Sequence, residues 1–488
     1  MTSRPAPPIA RRDPRRFEQL GRVRVDEYAW LKDEDWQAVM REPGLLHAEI
    51  REHLERENAY TAAMMAPTAA LQEAIYQEMR GRVKEDDSTV PSPDGPWDYY
   101  RRFNMGAQHP IYARRPRGLE GPEHILLDVE AQAQGHKFYK VASAQHAPGH
   151  ALCAYAVDQR GSEIFQVRVR DLASGQDLDS VIDNCTGDFC WSPDGRYIFW
   201  TYRDENGRPA KVYRRPARGG EDTLVYDEPD DGFFLGVHVT ESQEFIVIHA
   251  GHHAASETHI IPAAAPESAP LVFHRREEDV LYRVTHWDGR WFVLTNADGA
   301  VDFKVMVCAP DQTGRAHWMD FIPHQEGRFI TALSATKDYL VRAERSEALP
   351  RIVVRHRGGD EHAIALSEEA FNLELVSGYE YETPLQRFVY DSPTTPMQWF
   401  DYDMGARTRT LRKTQEIPSG HDPAAYVARR IWAKAEDGKR VPITVLMKRD
   451  TPLDGSAPLF LYGYGSYGIS LDADFSIRRF SLVDRGWI

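Results

Sequence analysis

The chain has 488 residues, 42% hydrophobic and 27% charged, a balance that excludes a disordered polymer and leaves room for several domains with sizeable cores. Lysine and arginine number 59 against 74 aspartate and glutamate, a net charge of −15, which argues against nucleic acid as a partner and fits attraction of cationic peptides as well as plain solubility. No apolar run approaches the ~20 residues of a membrane span, and the four cysteines, Cys153, Cys185, Cys190 and Cys308, give no disulfide framework, so a reducing, cytoplasmic setting is expected.

Met1 to Arg16 is rich in proline and arginine and has no apolar segment of the secretory kind. A solvated tail is expected, with an organelle-targeting segment as the alternative. From Asp26 to about Val83 the period is helical. Leu46, Ile50 and Leu54 recur at i, i+4 and i+8, and Leu71, Ile75 and Met79 repeat the pattern. Asp33 or Asp35 is a candidate cap for the first helix, and Pro43-Gly44 interrupts it. The apolar stripes need a partner surface that nothing nearby supplies.

From about Lys84 short aromatic and β-branched runs take over, separated by turns of glycine, proline, aspartate and asparagine. A turn followed by such a strand recurs at Trp97–Tyr100, Ala151–Val157, Tyr197–Tyr202, Phe245–His249, Trp291–Thr295, Tyr339–Ala343 and Arg387–Asp391. With Asp94, Gly149, Asp194, Ser242, Asp288, Lys337 and Pro384 as markers, the steps are 55, 45, 48, 46, 49 and 47 residues. A period in the forties with several strands per unit predicts a β-propeller of seven blades over residues 84–412. An array of β-sandwiches is the competitor, and it does not predict such even spacing.

Residues 413–488 change character. Lys413 to Pro423 reads as a linker, followed by strand candidates at Tyr426–Ala433, at the alternating Val441, Ile443, Val445 and Met447, and at Leu459–Tyr462. This pattern predicts the opening of an α/β sheet. The loop Gly463-Tyr-Gly-Ser-Tyr-Gly468 lets the backbone turn sharply near a ligand, or forms a tight aromatic turn. Ser466 does not satisfy Gly-x-Ser-x-Gly because position 464 is tyrosine, so it is not taken as a nucleophile. Asp472 and Asp474 stand two apart. They can hold a lysine or arginine, hold a divalent metal, or form an ordinary solvated turn. The histidines at 249, 252, 253 and 259, and the Cys185/Cys190 pair, are weak metal candidates read as ordinary structure.

Val25-Asp-Glu-Tyr-Ala-Trp-Leu-Lys-Asp33, Arg82 to Tyr100, Leu461-Tyr-Gly-Tyr-Gly-Ser-Tyr-Gly468, Asp472-Ala-Asp474 and Leu482-Val-Asp-Arg-Gly486 together resemble the prolyl oligopeptidase family of serine peptidases, most closely its oligopeptidase B branch. The resemblance implies an α/β-hydrolase domain built from both chain ends (residues 1–83 and 413–488), with the propeller inserted between them. It implies hydrolysis of short peptides after Lys or Arg, with the propeller limiting access. Tyr464 would be the side-chain donor of the oxyanion hole, and Asp472 and Asp474 would bind a basic residue of the substrate. The family's Ser, Asp and His fall beyond Ile488, so the hydrolase domain is expected to be incomplete and the chain alone inactive. No metal or organic cofactor is expected. The alternatives are a prolyl-specific peptidase of the same family and a non-catalytic propeller fragment acting as a binding module.

Overall fold

The computed structural model describes residues 5–118 and 121–488, so the first four residues of the expected tail lie outside the described residues. The chain divides into two compact units, 1–82 and 83–488.

The first unit begins with a short hairpin ahead of its helices. Arg15–Gln19 and Arg22–Asp26 pair as an antiparallel hairpin, closed by Leu20 and Gly21 at φ 52° and 69°. Two successive positive φ values are what a two-residue hairpin turn requires. Helices follow at Trp36–Arg41, Ala48–Met65 and Ala69–Gly81. Pro43-Gly44 separates the first two through a short 3-10 turn. Asp33 does not cap a helix. Its carboxylate accepts the backbone N–H groups of Asp35 and His47 at 3.0 and 2.9 Å, and these bonds hold its pKa below the usual carboxylate value. Trp30, Ile50 and His53 are buried, and the Trp30 indole donates to the Arg11 carbonyl at 2.8 Å. Leu54 and Leu71 of the expected stripes are exposed.

The second unit is built from antiparallel sheets in chain order. Five have four strands each: Ser92–Asp94 to His124–Asp128, Phe234–Val239 to Leu271–His274, Tyr282–Trp287 to Met319–Ile322, Arg328–Ala335 to Glu361–Ala363, and Asn372–Val376 to Thr408–Thr414. In each, neighbouring strands in sequence are neighbours in the sheet, which makes each a propeller blade. Middle strands such as Arg290–Thr295 and Lys304–Cys308 are buried along nearly their whole length. Apolar side chains on both faces of one sheet pack against the next, which is why these strands read as continuous apolar runs rather than alternating ones.

The expectation of seven blades is corrected to five. All seven expected marker strands exist, but two of them, Leu152–Asp158 and Tyr197–Arg203, belong to one seven-stranded sheet. The reason is the 16-residue strand Gln176–Trp191, which runs unbroken between the two marker strands and pairs towards both of them. Its first half pairs with Phe165–Asp171 and its second half with Tyr197–Arg203. The register shifts between Cys185 and Phe189, where Gly187 sits at φ 96°. A Cβ there would meet Ala142 and the Phe165 ring at 3.1–3.3 Å, so the bulge depends on glycine.

The α/β-hydrolase expectation is corrected as well. Tyr426–Lys434 and Arg440–Lys448 form only a two-stranded hairpin. Leu459–Tyr462 is not a strand; its four side chains are exposed, and its segment is tied by backbone bonds from Phe460 to Ile488 and from Ile488 to Pro458, both 2.9 Å. A buried central strand needs a ladder on each side to satisfy its backbone, and no such ladder forms here.

Candidate functional site

The innermost strands of several sheets surround a cavity of about 980 Å³, lined among others by Asp188, His238, Glu241, His249 and Arg283. Burial dominates its electrostatics. It pushes His249 down to about 4, with Arg283 adding to the effect, and lowers His238 in the same way. Burial also raises Glu241 and Asp188. At these four side chains burial disfavours the charged form.

The first and last four-stranded blades meet through side chains. Arg387 of Leu385–Asp391 forks onto Asp401 at 2.7 and 3.1 Å and donates to the Pro91 carbonyl at 2.9 Å. Arg117 reaches Glu380 at 2.5 Å, and Lys413 reaches Asp87 at 2.6 Å.

The C-terminal acidic segment is held by side chains of the last two blades. Asp472 accepts from Arg345 at 2.5 Å, and Asp474 pairs with Arg479 at 2.7 Å. The next backbone N–H, that of Phe475, donates to the buried Asp391 at 2.5 Å. Asp391 also accepts from Asn372 at 3.1 Å. Burial raises Asp391 to about 6, against the pull of these donors, and the charges of Asp474 and Asp472 push in the same direction as burial. The segment is seated by an aromatic cluster of Phe475, Phe480, His421 and Tyr426, with ring centroids 4.8–5.3 Å apart for His421 against each of the others.

The two expected substrate carboxylates are thus near the same buried acid but engage different guanidinium groups. Tyr464 is 56% exposed, on a loop where Gly465 and Tyr467 take φ 114° and 57°. Asp391 and Arg345 were not singled out from the sequence. Asp391 lies in a strand read for its apolar neighbours, and Arg345 lies 127 residues from the acid it holds.

The weak metal candidates do not converge. His252 accepts from the backbone of Ala254 and Ala255, His259 pairs with Glu257 at 3.0 Å, and His249 faces the cavity. Cys185 and Cys190 are buried in different apolar clusters, and burial pushes the Cys185 thiol up to about 12.

Residues 7–415 match the family model described as prolyl oligopeptidase, N-terminal beta-propeller domain. The chain belongs to the prolyl oligopeptidase family of serine peptidases, close to oligopeptidase B. It is 35% identical to dipeptidyl aminopeptidase BI of Pseudoxanthomonas mexicana, matching 96% of this chain and 66% of that protein. It is 30% identical to protease 2 of Moraxella lacunata, matching 98% of this chain and 69% of that protein. Among solved structures, oligopeptidase B from Leishmania major superposes with a TM-score of 0.90 at 29% identity, over 99% of this chain and 70% of that one. The chain therefore spans about two thirds of the length of these relatives and constitutes the N-terminal propeller region of the family. Among the described residues no helix is long and apolar enough to cross a membrane.

Proposed function

We propose that this chain supplies access control and substrate recognition to a serine peptidase that cleaves short peptides after Lys or Arg, an activity proposed for the protein at the length of its relatives. The observation that carries the proposal is the gathering of Asp472 and Asp474 around Asp391, with Arg345 already bound to the first of them. A site that holds one guanidinium by a charge-assisted bond has the chemistry to hold another. Each such contact contributes ~1.5–3 kcal/mol, enough to set a preference for basic residues. Tyr464 would donate its hydroxyl to the oxyanion that develops on the scissile carbonyl. The cavity, lined by strands of several sheets, would pass extended peptides and exclude folded chains. The net charge of −15 supports cationic peptides as partners and speaks against nucleic acid. A cytoplasmic setting is supported by four buried cysteines without disulfides. The proposed hydrolysis requires no metal or organic cofactor.

The test offers Arg-containing and Pro-containing chromogenic peptides to the protein at the length of its relatives. Arg peptides should turn over faster, and Asp472→Asn with Asp474→Asn should erase that preference. Faster cleavage of the proline peptide overturns the reading. A second reading is favoured by the 35% identity to a dipeptidyl aminopeptidase: the same carboxylates would bind a free α-ammonium group. Acetylating the peptide N-terminus abolishes cleavage on that reading and leaves it intact on the first.

A further inference from the structure

A separate cluster lies where three sheets meet. Asp94 ends the first strand of the first blade, at Ser92–Asp94. His146 ends the strand Lys140–His146 of the seven-stranded sheet, and His150 stands in the turn that follows it. His146 Nε2 is 2.6 Å from Asp94 Oδ2, and His150 Nδ1 is 4.0 Å from the same oxygen. The three ligand-capable atoms lie within 4.8 Å of one another. From this geometry we propose that Asp94, His146 and His150 form a binding site for a zinc-like divalent transition metal that clamps the first blade to the seven-stranded sheet.

Four-coordinate zinc with N and O bonds of about 2.0–2.1 Å holds its ligand atoms roughly 3.4 Å apart. The 2.6 Å contact must open and the 4.0 Å contact must close by similar amounts, which side-chain rotation supplies. The two histidines are four residues apart, within the spacing of zinc-binding pairs. The Tyr99 hydroxyl, 2.8 Å from His150 Nδ1, can stand aside or leave the fourth position to water. Arg114 donates to that hydroxyl at 3.3 Å, and two nitrogen donors with one carboxylate suit hard cations such as magnesium or calcium poorly. Imidazole donors favour zinc, nickel or copper instead.

The surroundings fix the ligands. Tyr99 stacks on His146 with ring centroids 3.7 Å apart, and Tyr379, from the loop between the first two strands of the last blade, meets His146 edge-on at 4.7 Å. His150 holds φ 65°, an unfavourable conformation for histidine, with its imidazole against Gly95, where a Cβ would come within 3.0 Å of Nε2. Asp94 and His150 keep 28% and 20% of their side-chain surface open, so an ion can enter.

The test strips the full chain with a chelator and titrates zinc chloride, reading bound metal by mass spectrometry and calorimetry and unfolding by heat. Expected are one zinc per chain and a thermal midpoint that rises with zinc by mass action. Cobalt substitution should give visible bands from nitrogen ligation. Asp94→Asn and His150→Asn should each weaken binding by about 100-fold or more; asparagine tolerates the positive φ at position 150, so this variant keeps the fold. His252→Ala with His253→Ala should change nothing. Absence of stoichiometric zinc in the unaltered chain, or equal zinc affinity in His150→Asn, overturns the proposal.

Discussion

Arg345 holds Asp472 at 2.5 Å, joining the fourth of the five blades to the acidic C-terminal segment across 127 residues of sequence. The pair is partly shielded, with side-chain exposures of 24% and 35%. A double-mutant cycle of Arg345→Ala and Asp472→Ala, read by urea unfolding, should return a coupling of about 1 kcal/mol. A coupling near zero would show that the contact holds nothing in place. On the proposed peptidase activity, Arg345→Ala alone should lower KM for Arg peptides, because an internal competitor for Asp472 is gone.

Asp391 makes stability depend on pH. Burial raises it from 3.8 to about 6, so the folded chain keeps this proton to a higher pH than the unfolded chain does. The stability that goes with the protonated form is complete below about pH 4 and is lost as pH rises through about 6. A shift of this size corresponds to about 3 kcal/mol as an upper figure. Asp391→Asn cannot ionise, so its urea midpoint should fall less than that of the unaltered chain between pH 4 and pH 7.5. Parallel pH profiles would assign the dependence to other groups.

Arg387 ties the last blade to the first. Arg387→Ala removes its fork onto the buried Asp401 and its bonds to the Val90 and Pro91 carbonyls. Arg412 still reaches Asp401 at 3.0 Å and softens the loss. Unfolding free energy should drop by about 2–4 kcal/mol. Arg387→Lys should recover only a small part of that, since an ammonium cannot make the two-pronged contact.

Tyr464→Phe tests the oxyanion role without altering the loop's shape. In the protein at the length of its relatives, kcat should fall by roughly 2–4 kcal/mol of transition-state stabilisation. A change confined to KM would assign Tyr464 to binding instead.

Much of the sheet architecture was legible in the chain. All seven turn-and-strand markers fall on strands, because glycine and aspartate turns and β-branched runs act locally. The merging of two markers into one sheet was not legible. Whether the chain turns or runs straight near Gly187 is decided by pairing on both flanks of Gln176–Trp191, which local propensity does not encode. The hairpin at Arg15–Asp26 is only half legible: Arg22-Val-Arg-Val-Asp26 alternates charged and apolar residues, but its partner Arg15-Arg-Phe-Glu-Gln19 carries a single apolar residue. The acidic pair was visible as Asp-x-Asp, but its partners Arg345 and Asp391 are distant in sequence. The His146/His150 spacing was equally visible, yet it acquires meaning only when the turn at Asp94 arrives from another blade.

The unbroken strand Gln176–Trp191 also sets where the chain can change its length. Connections between the four-stranded blades are loops, and a residue added to one of them leaves every ladder in register. Gln176–Trp191 has no such slack. One extra residue within it would turn every following side chain to the opposite face, exchanging the buried Phe189 and Trp191 with their neighbours. Divergence by insertion is therefore open between the blades and closed within this strand, except at the bulge by Gly187, where the register already shifts.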